Sequence, residues 1–335
     1  MGRRIHRGWV VRVAWSACVA SLAPLMVAAA ELSPLRAQFE QPESSVDYAD
    51  AKLVVDSLID PSTDTAAVRR ELDTWTKAVQ GNIPVEATAR DRLDALLKTL
   101  YQPGPWNQGW PFTYDLTDPL GKNPTNKRLA TYLTTRKGNC VSMPILLVIL
   151  GQRLDLPLTL ATAPSHVLAK FADDAQQAWV NVEATAGGFK FDSSYEHETG
   201  ITPTAIENGI YLRPLTPRES VGVIASTLME HYAAQRDSDA LMAVADLALD
   251  ANPKDPVAMV WKANAYYLQV QDRYVRRYPK ASDIPLAQQA DYSRLSGENL
   301  AWFTKAEQLG WVVKTPEQEA NYLQSIQREK ARRGQ

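Results

Sequence analysis

The stretch TTRKGNCVSMPILLVILGQRLDLP (Thr134–Pro157) decides how this chain is read. A basic, polar run passes through Gly138-Asn139 to Cys140 and then into an almost wholly apolar segment. Being apolar nearly all round, that segment predicts a helix buried at the centre of the fold. Pro144 falls in its first turn, where a missing N–H costs little. A cysteine at a helix N-terminus faces unpaired backbone N–H groups and the positive end of the helix dipole, and both favour thiolate over thiol. Arg136 and Lys137 add positive potential. The Gly138-Asn139 turn brings amide hydrogens near the sulfur, so Asn139 and the Cys140 backbone amide are candidate oxyanion donors.

The chain of 335 residues has only two cysteines, Cys18 and Cys140. Cys18 lies in a leader: MGRRIHRGWVVR carries four arginines and no acid, VAWSACVASLAPLMV is apolar, and AAAE offers a small-residue cleavage site. That order is secretory, and cleavage after Ala30 is expected, which makes the protein exported, periplasmic or secreted. The rival reading is an uncleaved anchor, but an apolar run of roughly 18 residues is at the low edge of the spanning range. Cys140 then has no partner in a compartment that punishes idle thiols, so it is either buried and inert or chemically used. Without the leader the chain holds 32 basic against 38 acidic residues, a net charge of −6. Such a surface has no electrostatic reason to seek nucleic acid or anionic lipid.

Organisation follows from periodicity. Residues 31–47, polar with prolines and a serine pair, read as a flexible lead-in. Three amphipathic helices are expected next: Tyr48–Asp60, a second from Asp64 with Val68, Leu72, Trp75 and Val79 at helical spacing, and a third ending at Tyr101. QPGPWNQGWPF (102–112) is a loop whose Trp106 and Trp110 either plug the core or wall a substrate groove. A short helix within 123–139 is expected to stop at Gly138. Period-2 patterns then give three strands, PLTLATA, SHVLAKFA and AWVNVEAT, with DDAQQ as the hairpin turn between the last two. From about residue 218 the chain is helical. Tyr232 and Tyr266 stand 34 residues apart, as do Ala225 and Met259, and ADLALDANPKDP has the alanine spacing and Asn-Pro ending of a tetratricopeptide unit. About two degenerate repeats are expected, too few to stand alone, and the last helix (316–335) reads as a solvated cap.

Nucleophilic catalysis needs a base near the sulfur and a group to orient that base. His197 sits in a polar, loop-like stretch and His231 on the first repeat helix, where a packed or surface histidine is the simpler reading. His166 opens a strand after Ala-Pro-Ser, where a strand edge projects into a cleft. Taken alone, a strand-end histidine satisfied by backbone is the simpler reading. Seventeen residues on, the next strand offers Glu183, and cross-strand neighbours approach within about 5 Å. Helix cysteine, strand histidine and adjacent carboxylate have the three-part logic of a papain-like triad. Ser165 and Thr185 read as turn or supporting residues. One cysteine and scattered histidines lack zinc-ligand spacing, and TAGGF lacks that of a phosphate loop; no metal or cofactor is expected.

These residues resemble the transglutaminase-like superfamily of papain-related cysteine enzymes, over roughly 110–200. The resemblance rests on RKGNCVSMPILLVILGQRLDLPL, PSHVLAKF and AWVNVEATAGG, and is nearest to the SirB-type branch, whose core is followed by tetratricopeptide-like helices. It places Cys140 and His166 at the nucleophile and base positions. Trp179, Glu183 and Thr185 fall on the last motif, with Glu183 where the family usually carries Asp. The fold implied is α+β, a papain-like core with a helical N-lobe and an antiparallel sheet (48–217), followed by an all-α tetratricopeptide-like region (218–335). The function implied is attack on amide bonds through a thioester, on a protein or peptide substrate. The competing reading is a non-catalytic scaffold that binds a partner protein through its repeats.

Overall fold

A computed structural model describes residues 31–333; the expected leader lies outside the described residues. Helices dominate, around one small antiparallel sheet. In chain order the first helices are α1 (Ser33–Glu40), α2 (Tyr48–Ile59), α3 (Thr65–Gln80) and α4 (Ala89–Tyr101). Their starts follow side-chain capping: Asp47 accepts from Asp50 N, Asp64 from Ala67 N, and Thr88 forms a capping box with Asp91. The stripe expected on α3, Val68, Leu72, Trp75 and Val79, is the set that α3 buries.

Residues 31–47 depart from the flexible reading. Leu32, Leu35 and Phe39 form a short apolar stripe at helical spacing, and Pro34 falls at the start of α1, where it is tolerated. Leu35 is fully buried, and α1 packs on α2 and on the first C-terminal helix. Three apolar residues scattered in a polar segment gave too weak a period to read.

Two residues, Thr113–Tyr114 (β1), pair in parallel with Lys137–Gly138 (β2). Between them α5 (Leu129–Thr135) ends on Arg136 in the left-handed region, before Gly138 is reached. Gly138 therefore does not stop the helix. A Cβ there would come within 2.5 Å of the Tyr132 ring and 2.7 Å of Met143, so glycine is required by close approach. Helix α6 (Ser142–Arg153) follows, buried on all sides from Met143 to Gly151. Each of its aliphatic side chains contributes roughly 1.5–3 kcal/mol by leaving water.

The sheet is a four-stranded meander, β3 (Leu158–Ala163), β4 (His166–Asp173), β5 (Ala178–Glu183) and β6 (Gly188–Lys190). Leu158, Leu160, Ala169, Phe171 and Val182 join the main core with α6. The opposite face carries Ala161, Ala163 and Leu168 in a second cluster with Tyr195 of α7 (Asp192–Thr199) and Ala205 of α8 (Pro203–Glu207). His197 is thus on a helix rather than in a loop.

Helices α9 (Pro217–Gln235), α10 (Ser238–Ala251), α11 (Pro256–Val270) and α12 (Leu286–Gln308) pack in succession. The main core runs without a break from Leu35 and Leu150 to Leu228, Leu241 and Met259. The C-terminal helices therefore share their interior with the first part of the chain. The last helix, α13 (Pro316–Arg333), turns back toward the sheet. No helix among the described residues is long and apolar enough to cross a membrane.

Candidate active site

Cys140 stands in the turn before α6, two residues ahead of the first helical residue Ser142. Asn139 holds that turn: its Oδ1 accepts from Val141 N at 3.0 Å and Ser142 N at 3.1 Å, and its own N–H donates to Ser142 Oγ. The sulfur is partly exposed and lies 3.9 Å from the Ser165 carbonyl oxygen.

That carbonyl belongs to a two-residue turn, Pro164-Ser165, closing β3 onto β4 with Ala163 opposite His166. Ser165 has φ 55°, a conformation usually left to glycine. The turn aims both the Ser165 carbonyl and the His166 side chain at the cysteine. Ala169 pairs with Val182, and continuing that register puts Glu183 one diagonal step from His166 on the same face. Nε2 of His166 lies 2.8 Å from Glu183 Oε2. With Nε2 engaged, Nδ1 is the nitrogen left to meet the sulfur.

The electrostatics follow from this line of three. Burial alone would lower the His166 pKa, but its contacts with Cys140 and Glu183 overrule burial and hold it up at about 10. Burial alone would raise the Glu183 pKa, but His166, Thr185 and Tyr195 hold it down at about 2. The carboxylate is fully engaged: Oε1 accepts from Thr185 N at 3.1 Å and Thr185 Oγ1 at 2.6 Å, and Oε2 also accepts from the Tyr195 hydroxyl at 2.7 Å.

Residues 66–221 match the profile of the transglutaminase-like superfamily. They form a transglutaminase-like domain. No curated protein and no solved structure matches the chain. The matched span runs from the start of α3 to the first turn of α9 and contains Cys140, His166 and Glu183. Helices α1, α2 and α10–α13 lie outside it.

Within this transglutaminase-like domain the remaining residues singled out by sequence are placed unequally. Thr185 touches Glu183 directly. Asn139 is 1% exposed, its oxygen spent on the α6 terminus and its Nδ2 buried without a partner beside Gly121. Its oxygen holds the cysteine turn. The Cys140 N–H takes no partner among the described residues. Trp179 is four residues from Glu183 along β5, about 13 Å away, and 43% exposed; no contact joins it to the site. Arg136 is turned away from the sulfur, stacked between Trp75 and Trp110 and donating to the Asn107 and Trp110 carbonyls. Trp110 is half-exposed and Trp106 partly exposed, so neither plugs the core. His231 stacks edge-on against Tyr232 and, like His197, has no contact with the site.

Three tyrosines near the site had no signal in the sequence. Tyr195 is buried, its ring 5.8 Å from that of His166. Tyr114 neighbours Cys140 because β1 pairs with Gly138. Tyr322 arrives from α13 and its hydroxyl lies 2.7 Å from that of Tyr114. A hydroxyl twelve residues beyond the carboxylate it meets, and another from the far end of the chain, depend on packing, which no local pattern encodes.

Proposed function

We propose that this protein is an exported cysteine enzyme that cleaves or transfers amide bonds, with Cys140 as nucleophile, His166 as base and acid, and Glu183 as the group orienting His166. The observation that carries the reading is a partly exposed sulfur beside the His166 imidazole, which is itself held by a carboxylate with all its oxygens engaged. Tyr195 and Thr185 fix that carboxylate, so the imidazole is held in one orientation with Nδ1 toward the sulfur.

In this mechanism an imidazolium that stays protonated through neutrality favours a thiolate beside it. The thiolate attacks the amide carbonyl carbon, and the oxyanion that forms is met by the free Cys140 N–H. His166 gives its proton to the leaving nitrogen, the C–N bond breaks, and a thioester remains. Neutral His166 then takes a proton from water or a second amine as that nucleophile attacks the thioester. The C–S bond breaks, an acid or a new amide is released, and the thiolate–imidazolium pair is restored. Export makes water the abundant acceptor, so hydrolysis of a protein or peptide is the favoured outcome. Helices α9–α12 are read as degenerate tetratricopeptide-like hairpins of the SirB-type arrangement, a surface for a substrate or partner protein.

The test is alkylation of Cys140 by iodoacetamide across pH. At pH near 6 the wild type is expected to react at least tenfold faster than His166→Ala, whose thiol lacks the imidazolium beside it. A Cys140 that resists alkylation until the protein unfolds, or a profile unchanged by His166→Ala, would overturn the enzyme reading and leave the scaffold reading.

A further inference from the structure

Two segments flank the candidate site. One carries Cys140 and, through the pairing of Tyr114 with Gly138, the loop from Tyr114 to Pro119. The other carries Glu183 and helix α7, which brings Tyr195 to it and ends at Gly200. A single turn of α13 touches both. Gln318 lies against Gly200, where an added Cβ would come within 2.8 Å of its Nε2. Four residues on, the Tyr322 hydroxyl donates to the Pro119 carbonyl at 3.0 Å and meets the Tyr114 hydroxyl at 2.7 Å. Gln318 and Tyr322 are one helical turn, about 6 Å, apart, so α13 bridges the two segments.

Its attachment is uneven. The segment before it is fastened: Thr202 Oγ1 donates to Gly310 O at 2.9 Å, Asn208 Nδ2 donates to Leu309 O at 3.3 Å, and Leu309 and Trp311 pack on the cluster that contains Tyr195. Residues 312–315 then have no regular structure and expose Val313 to 66%. Beyond this joint, Ile326 is the single buried side chain of α13 among the described residues. Glu319, Tyr322, Leu323 and Lys330 are half-buried and complete, with Ile326, a stripe at helical spacing that faces the body.

We propose that α13 is a strap that closes over Cys140 and swings away about residues 312–315 to admit a macromolecular substrate. The inference rests on the reading of Cys140 as the nucleophile. Two further observations agree with the placement. Burial raises the Tyr322 pKa, its bond with Tyr114 lowers it, and the neighbourhood of Cys140 and Glu183 raises it further. The strap is also held by the kind of contact that opens at low cost, a few hydroxyl bonds and one aliphatic side chain.

The experiment uses the full chain and two thiol reagents, iodoacetamide and a maleimide carrying a long polyethylene glycol chain, with modification read at Cys140 by peptide mass mapping. The small reagent reaches the sulfur beside the strap, whereas the bulky one reacts only from the open population. Tyr322→Ala combined with Ile326→Asp is expected to raise the bulky-reagent rate about tenfold or more and to leave the iodoacetamide pH profile unchanged. Tyr322→Phe, which keeps the ring and cannot unfold the helix, is expected to raise it in the same direction by a few fold. A ratio of bulky to small rates unmoved by either variant overturns the strap. If iodoacetamide labelling is itself independent of His166, the nucleophile falls instead, so the two failures are told apart.

Discussion

Helices α6 and α13 approach the same sulfur by opposite means. Every residue of α6 from Met143 to Gly151 is buried, and glycine is needed at both margins because Tyr132 and Leu158 press against Gly138 and Gly151. Helix α13 buries one side chain, Ile326, among its described residues and is otherwise held by the Tyr322 hydroxyl, a Gln318 contact and a half-buried stripe. On the proposed reading the nucleophile stands at the head of a helix buried all round, and its cover is a helix held by few buried side chains. A site that must hold its geometry to fractions of an ångström yet admit a large substrate needs both.

The comparison can be broken or sharpened by substitution. The largest effect is expected from His166→Ala, a loss of roughly 10³-fold in the rate of thioester formation, measured by single-turnover acylation with the fold checked by circular dichroism. Next, Leu147→Ala in α6 should destabilise the protein by about 3 kcal/mol in urea unfolding. Ile326→Ala in α13 should shift the same transition by less than about 0.5 kcal/mol while speeding proteolysis within α13. Similar shifts for the two would erase the contrast.

Glu183→Gln should cost about 3 kcal/mol with a definite pH dependence. Folding lowers the Glu183 pKa from 4.5, so its contribution is complete above pH 4.5 and lost as pH falls toward about 2. Folding raises that of His166 from 6.5, so its contribution is complete below pH 6.5 and lost as pH rises toward about 10. The gap between wild type and variant should be widest between these limits and narrow on both sides; a gap independent of pH would mean the pair is not charged. Smaller still, Tyr195→Phe removes one hydrogen bond to a charged carboxylate, worth about 1.5 kcal/mol. Glu183 Oε2 then accepts from the imidazolium alone, so the apparent pKa of His166 in the alkylation profile should rise, which a merely structural loss would leave in place.

Much of this was legible without coordinates. The helical stripe of α3 and its start at Asp64, the all-round apolarity of α6 and the alternation of β3 to β5 are local patterns, set by periodicity and by side chains that bond their own backbone. Cys140, His166 and Glu183 were legible because each sits at the end of such an element, and the meander that joins two of them is short. Tertiary structure alone decided what depends on register and on distant packing. It turned the Asn139 amide into the turn, drew Arg136 onto Trp75 and Trp110, folded α1 onto the core, and set Tyr195 on Glu183 and Tyr322 on Tyr114. A chain specifies its elements through neighbours a few residues away, but which hydroxyl meets which carboxylate is settled only when buried surfaces choose their partners.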